Sequence, residues 1–327
     1  MNKSGIDWCD FTWNPITGCS NGCPYCYARK QAQRFCGDIR LNAASPQVER
    51  EGGKYILEKP FKNEEGKTIP IPLGFAPTLH RYRLEMPSQK KKPATIFVCS
   101  MSDLLARDIP LSWIKDVIDE CITAPQHRYM FLTKNPERYA ELEQMAMLYR
   151  MKNFWYGTTI TCQDDAKRID SLPAFAQRFV SIEPMMGPVD LEAASLRKVH
   201  WIIAGAETGN RPGKTAPQKE WLEGLVGYAY KYSIPILLKD SRELREVWGN
   251  ELIQEFPKGL EPMQPTYIPR CRECDHAETT AQGRRGTAYA CGIGWEGVCD
   301  RGARSIPGRY TRTSPPWCPK RKEGKAE

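Results

Sequence analysis

The sequence predicts an α/β fold, an open and partial (β/α) barrel of six or seven units. Short apolar runs rich in β-branched and aromatic residues recur along residues 1–262, helix-like stretches separate them, and each run ends on polar side chains. The runs are Thr95–Cys99, Tyr129–Leu132, Phe154–Thr159, Phe179–Ile182, Trp201–Ala204 and Ile234–Leu238, with a further strand near Asp10–Ile16. Runs this short and this apolar suit strands buried on both faces. Helices are expected at 111–124, 136–149, 163–171 and 217–232. Pro110 and Ser112 mark the entry to the first, and Pro136 follows Asn135 at the start of the second. Strands alternating with helices imply right-handed βαβ units on a parallel sheet. A closed barrel of this kind needs eight units, so the sheet is expected to stay open.

Two regions depart from the alternation. Residues 40–93 contain Pro46, Pro60, Pro70, Pro72, Pro77, Pro87, Pro93 and the run Lys90-Lys91-Lys92, and read as an irregular insertion with room for one helix. From residue 263 onward Gly, Arg, Pro and Cys dominate. The expected organisation is a main domain over 1–262 and a small basic module over 263–327.

Composition narrows the function classes. A chain of 327 residues that is 41% hydrophobic can bury one large core and a satellite. No apolar run approaches a membrane span, and Met1–Cys9 carries Asp7 and a cysteine where a signal peptide would be apolar. A cytoplasmic protein with no membrane partner is therefore expected. In that reducing compartment 13 cysteines point to metal binding or catalysis rather than disulfides. The net charge is +8, and residues 263–327 hold 12 Lys and Arg against 7 Asp and Glu. That basic tail suggests a polyanionic partner such as nucleic acid, although excess charge also serves solubility.

The sharpest local signal is Cys19-Ser-Asn-Gly-Cys23-Pro-Tyr-Cys26, just after the first strand. Three thiolates at this spacing can hold a [4Fe–4S] cluster and leave its fourth iron open to a cofactor or substrate. Gly18 and Gly22 allow a tight turn and Pro24 stiffens it. A zinc ion is the alternative. It would need a fourth ligand: Cys9, Cys36 or a residue brought in by the fold.

With Tyr25 just before its last cysteine, the triplet resembles the signature of the radical S-adenosylmethionine superfamily. That resemblance implies a cluster that chelates S-adenosylmethionine and an external one-electron reductant. Electron transfer would then cleave the cofactor to a 5′-deoxyadenosyl radical. A closer resemblance is to a phage-associated three-Cys-motif family. It is carried by Trp13-Asn-Pro-Ile-Thr-Gly-Cys19, Phe97-Val-Cys-Ser-Met-Ser-Asp103, Phe131-Leu-Thr-Lys134, Ser181-Ile-Glu-Pro184 and Ile203-Ala-Gly-Ala-Glu-Thr-Gly209. Members of that group read Gly-Gly-Glu where this chain has Gly205-Ala206-Glu207.

Functional residues of parallel α/β barrels sit at the C-terminal ends of the strands. Here those ends carry Ser100, Ser102, Asp103, Thr133, Lys134, Thr158, Thr159, Glu183, Glu207, Lys239 and Asp240. The superfamily resemblance implies that Ser100, Ser102 and Asp103 face the methionine amino group of the cofactor. It further implies that Thr158 or Thr159 faces the ribose, and Gly205 with Tyr25 the adenine. Lys134 or Lys239 could pair with a carboxylate or phosphate. Helix caps and salt bridges are the alternative roles for the same residue types. No residue can be assigned as catalytic.

Cys271, Cys274, Cys291 and Cys318 form the expected ligand set of a second centre in the tail, with Cys299 or His276 as competitors. The Cys-x2-Cys knuckle suits either a structural zinc or a second [4Fe–4S] cluster. The function expected from all this is radical modification of a substrate, with nucleic acid or a nucleotide as first choice. The alternatives are a peptide or protein substrate, or a non-catalytic iron–sulfur or zinc adaptor that binds nucleic acid.

Overall fold

A computed structural model describes residues 1–191, 199–208 and 211–261, together with the backbone of 277–283, 286–291 and 304–306. The chain divides into two units, Met1–Met263 and Gln264–Glu327.

The first unit opens with β1 (Asn2–Lys3), β2 (Phe11–Trp13) and β3 (Ile16–Thr17), then α1 (Tyr27–Phe35) and α2 (Ile39–Ala44). Three short strands follow, β4 (Glu49–Glu51), β5 (Lys54–Leu57) and β6 (Thr78–His80). The repeating part comprises β7 (Thr95–Val98), α3 (Leu111–Thr123), β8 (Arg128–Thr133), α4 (Arg138–Gln144), β9 (Phe154–Ile160), β10 (Gln177–Ile182), β11 (Trp201–Ala204), α5 (Lys219–Lys231), β12 (Ile236–Leu238) and α6 (Arg242–Trp248).

Eight strands make the main sheet in the order β1-β2-β7-β8-β9-β10-β11-β12. From β2 to β12 every pairing is parallel and follows chain order, while β1 adds to the edge antiparallel. The order has two ends, so this is an open α/β sheet and no closed barrel. The helices that connect the parallel strands pack on one face. There α3 buries Trp113, Ile114 and Val117 and α5 buries Leu222 and Leu225. They share one core with alternate strand residues such as Ile96, Phe131, Tyr156, Val180 and Ile202.

The other face repeats the period-two alternation with the intervening residues. Phe97, Met130, Trp155, Phe179, Trp201, Ile203 and Leu237 form a second core with Trp8, Cys9 and Leu260. Space there is tight. A Cβ on Gly157 would stand 2.5 Å from Cε1 of Phe179, so only glycine admits that ring. Below the N-terminal strand ends the indole of Trp201 donates to the Glu255 carbonyl at 2.9 Å, and Arg128 donates to the carbonyl of Gly259. Between the sheet's two ends, Asp7 in the β1–β2 connection accepts a hydrogen bond from the Asp240 amide beyond β12 at 2.5 Å. The Gly5–Asp10 stretch thus links the first strands to the last without strand pairing.

Several expectations need correction. Residues 40–93 hold more regular structure than expected: beside most of α2, β4, β5 and β6 lie there and join β3 in a four-stranded sheet ordered β3-β6-β5-β4. The pairing Ile16↔Leu79 spans 63 positions, so no local pattern announces it. The strand expected over Asp10–Ile16 is broken at Asn14-Pro15, where the chain leaves the main sheet for the small one. The helix expected at 136–149 covers only Arg138–Gln144, and Ala146 beyond it has a left-handed φ of 54°. Gln163–Ser171 is a 3-10 helix. Among the described residues no helix is long and apolar enough to cross a membrane.

In the second unit β13 (Ala277–Gly283), β14 (Gly286–Cys291) and β15 (Arg304–Ile306) form an antiparallel sheet in that order. Cys271, Cys274, His276, Cys299 and Cys318 lie outside the described residues, and only the backbone of Cys291 is described.

Close packing on the inner face has a direct test. Gly157→Ala should cost about 1–3 kcal/mol through overpacking, read from the urea midpoint. An unchanged midpoint would mean that the Phe179 ring has room to move.

Candidate metal and cofactor site

On the inner face the rows of side chains change character as each strand ends. Met130 and Leu132 lead to Lys134, Trp155 and Gly157 to Thr159, Phe179 and Ser181 to Glu183, Trp201 and Ile203 to Gly205 and Glu207, and Leu237 to Lys239. The apolar part fills the lower lumen. The polar part surrounds a cavity of about 320 Å³.

The cysteine loop covers this cavity: Cys19, Cys23 and Cys26 all line it, with Asn21 and Tyr25 between them. Ser100, Ser102, Asp103, Lys134, Thr159, Glu183, Glu207 and Lys239 line it as well. Ile6, Trp8, Phe97, Leu132 and Phe75 supply apolar wall. The sequence reading missed Ile6 and Trp8, which lie in the β1–β2 connection and belong to no periodic run.

The loop is stitched to the segment after β7. Gly18 donates its amide to the Met101 carbonyl at 2.9 Å, Ser102 Oγ donates to the Gly18 carbonyl at 2.6 Å, and Asn14 Oδ1 accepts from the Met101 amide at 2.8 Å. Gly18 has φ +79°, and a Cβ there would sit 2.5 Å from the carbonyl oxygens of Phe75 and Ala76, so the close approach requires glycine. Asp103 is the hub. Its Oδ2 accepts from Asn21 Nδ2 at 2.7 Å, the Lys134 amide at 2.9 Å and Asn135 Nδ2 at 3.1 Å, while Oδ1 accepts from the Leu105 amide at 3.1 Å. Four hydrogen bonds engage this buried carboxylate within the chain, and the Ser102 hydroxyl gives its proton to Gly18. Both hold the loop and also line the cavity, where a cofactor contact is expected of them.

Other residues also separate by geometry. Thr158 donates to the Thr133 carbonyl at 3.0 Å and lies off the cavity lining, so Thr159 is the hydroxyl that reaches it. Gly205 is not a lining residue either. A Cβ there would meet Glu183 Cγ and Cδ at 3.0 Å and Lys239 Cδ at 3.1 Å, so this glycine makes room for the Glu183–Lys239 ion pair. Asp240 pairs outside the cavity with Arg245 at 2.6 Å. Glu207 is held by Arg211 at 2.5 and 2.8 Å. Lys134 makes no ion pair among the described residues, and its Nζ stands 5.7 Å from the Tyr25 ring centroid.

Burial, reinforced by the negative charge of Asp103, pushes the Cys19 thiol up to about 11, so its thiolate needs a cation beside it. Of the fourth ligands open to zinc, Cys9 and Cys36 do not line the cavity, which leaves a residue brought in by the fold. Cys9 is bound to Ser4 Oγ at 3.2 Å and Cys36 to the Gln33 carbonyl at 3.3 Å. Among the described residues no three His, Cys, Asp or Glu side chains converge as ligands of a single ion would. A cluster asks less, because each thiolate bonds a different iron.

With this geometry established, a family model described as a protein of unknown function, DUF5131, matches residues 3–285. The chain belongs to that family. No curated protein matches it, and no solved structure does. The match takes in the whole cysteine loop and, apart from Asn2 of β1, every strand of the DUF5131 chain's main sheet.

Two outcomes follow from the stitching. Asp103→Ala should cost about 1.5–3 kcal/mol, the usual worth of a hydrogen bond to a charged group, and should shorten retention of any metal at the loop, as measured by denaturation and metal analysis. Normal stability and normal retention would leave Asp103 the cofactor contact alone. The second outcome concerns pH. The hydrogen bond from Arg211 holds the Glu207 carboxyl below its ordinary range. Its stabilising contribution is therefore complete above the unfolded carboxylate pKa of about 4.3 and lost as pH falls through the lower folded value. Arg211→Gln should move that loss to higher pH in an acid titration followed by tryptophan fluorescence, and an unshifted curve would show that the pair is not coupled to folding.

Proposed function

We propose that this chain is a radical S-adenosylmethionine enzyme that modifies a nucleic acid or nucleotide. The observation that carries the reading is the placement of three cysteines, spaced for a site-open cluster, on one loop over a cavity walled by polar strand ends. In that reading Cys19, Cys23 and Cys26 hold a [4Fe–4S] cluster. Bound there with S-adenosylmethionine, the cluster supplies the one electron that cleaves the cofactor to a 5′-deoxyadenosyl radical.

The chain's own residues bind, orient and shield. Asp103, Ser102 and Asn14 fix the loop against the strand ends. Lys134, the lining cation without an ion-pair partner, attracts an anionic group of cofactor or substrate. Thr159, Ser181 and the backbone around Ala206 offer hydrogen bonds, and Trp8, Phe97 and Leu132 keep water from the floor. The net charge of +8 supports a polyanionic substrate, and a peptide substrate is the alternative that the assay must include.

Anaerobically reconstituted protein should carry about four irons at the triplet and release 5′-deoxyadenosine when dithionite and S-adenosylmethionine are added. Cys23→Ala should abolish that release. Lys134→Met should keep the iron but weaken cofactor or substrate binding by about tenfold or more, the equivalent of one charge-assisted hydrogen bond. Zinc in place of iron in an oxygen-free preparation, or no release from iron-loaded protein, would overturn the reading. Iron without release would favour the non-catalytic adaptor.

A further inference from the structure

The helix that follows the triplet carries an exposed surface that the cavity does not use. The third cysteine is the N-cap of α1, its sulfur accepting from the Arg29 amide at 3.3 Å. From Lys30 to Leu41 every residue is exposed except Ala32 and Cys36. Within that stretch Phe35 is 60% exposed, Ile39 40% and Leu41 67%. Three large apolar side chains exposed within one short stretch of chain suit an interaction site.

The charges along the stretch are mostly positive. Lys30, Arg34 and Arg40 are exposed, and none is in an ion pair with a described carboxylate. The stretch has a single acid, Asp38, whose carboxylate caps α2 by accepting from the Arg40 and Leu41 amides at 2.9 and 3.2 Å. An apolar centre of Phe35, Ile39 and Leu41 flanked by unpaired cations is complementary to an acidic partner. Aliphatic groups such as Ile39 and Leu41 gain little from phosphate or base contacts, and nucleic-acid interfaces are more polar than this one. The balance favours a protein. Tyr27, at the start of the same helix, lines the cavity and donates to the Ser100 carbonyl at 2.7 Å, so the helix that carries the patch is joined to the rim of the cysteine cavity.

We propose that the exposed face of α1 and α2 is the docking surface for an acidic one-electron carrier protein, which delivers its electron beside Cys26. This rests on the radical reading above. In the transfer the carrier is oxidised by one electron and the cluster is reduced by one, with no proton or group exchanged.

The experiment uses the full iron-loaded chain and two acidic carriers, reduced flavodoxin and reduced plant-type ferredoxin, with dithionite as the reductant that needs no docking. Two double variants divide the surface, Arg34→Glu with Arg40→Glu, and Phe35→Ala with Leu41→Ala. Wild type should bind at least one carrier, more weakly as salt is raised. Each variant should lose at least tenfold in that affinity and in carrier-driven 5′-deoxyadenosine formation, while the dithionite-driven rate stays at the wild-type level. Wild-type affinity and carrier-driven rates in both variants would overturn the proposal and leave the radical reading intact. Binding of neither carrier by wild type would overturn it too. Loss of DNA-oligonucleotide binding in the variants, with carrier-driven turnover unchanged, would assign the surface to nucleic acid instead. Absence of product from wild type even with dithionite would strike the radical reading, and this proposal with it.

Discussion

The carboxylate of Asp103 accepts hydrogen bonds from three separate places: the cysteine loop through Asn21, the end of β8 through Lys134 and Asn135, and its own turn through Leu105. A loop of small and polar residues such as Cys19–Cys26 has little apolar surface of its own with which to settle on the sheet. Hydrogen bonding to a buried charge supplies that anchorage at higher strength than neutral pairs could. Gly18 adds a close backbone approach to Phe75 and Ala76 that no other residue permits. The direction in which the three thiols face is set by these contacts, and the use of the cavity follows from it.

The cavity exists because the parallel strands run in one direction with a period of two. Their inward rows are apolar low in the lumen, where Trp155, Phe179 and Trp201 pack, and polar at the top, where Thr159, Glu183 and Lys239 stand. The same alternation separates Thr158 from Thr159 and makes Gly205 a spacer for the Glu183–Lys239 pair. Neighbours in sequence thus carry different duties, and a reading that treats strand-end residues as a group cannot divide them.

Much of this was legible in the sequence, for a physical reason. A strand buried on both faces must be short, continuous and β-branched or aromatic, so runs such as Trp201–Ala204 identify themselves locally. The polar residue that ends each run also announces the rim. Three kinds of feature left no such trace. In the small sheet only β4 and β5 pair locally, while the pairings Tyr55↔Thr78 and Ile16↔Leu79 span 23 and 63 positions between strands of two to four residues. Trp8 and Ile6 reach the cavity through a connection without periodicity. Asp103 carries the residue type of a ligand, and only its partners reveal that its oxygens also hold the loop. The tail cysteines, from Cys271 to Cys318, are legible as a pattern, and the described residues do not extend to their side chains.

In the proposed reading Cys19, Cys23 and Cys26 hold a cluster with one iron open to the cavity. Electron paramagnetic resonance of the dithionite-reduced, oxygen-free protein tests it most directly, with Cys23→Ala as the reference for any signal from the tail. A reduced [4Fe–4S] signal that changes shape when S-adenosylmethionine is added, and that Cys23→Ala lacks, is the expected result. A signal indifferent to the cofactor, or one that survives intact in Cys23→Ala, would contradict the claim.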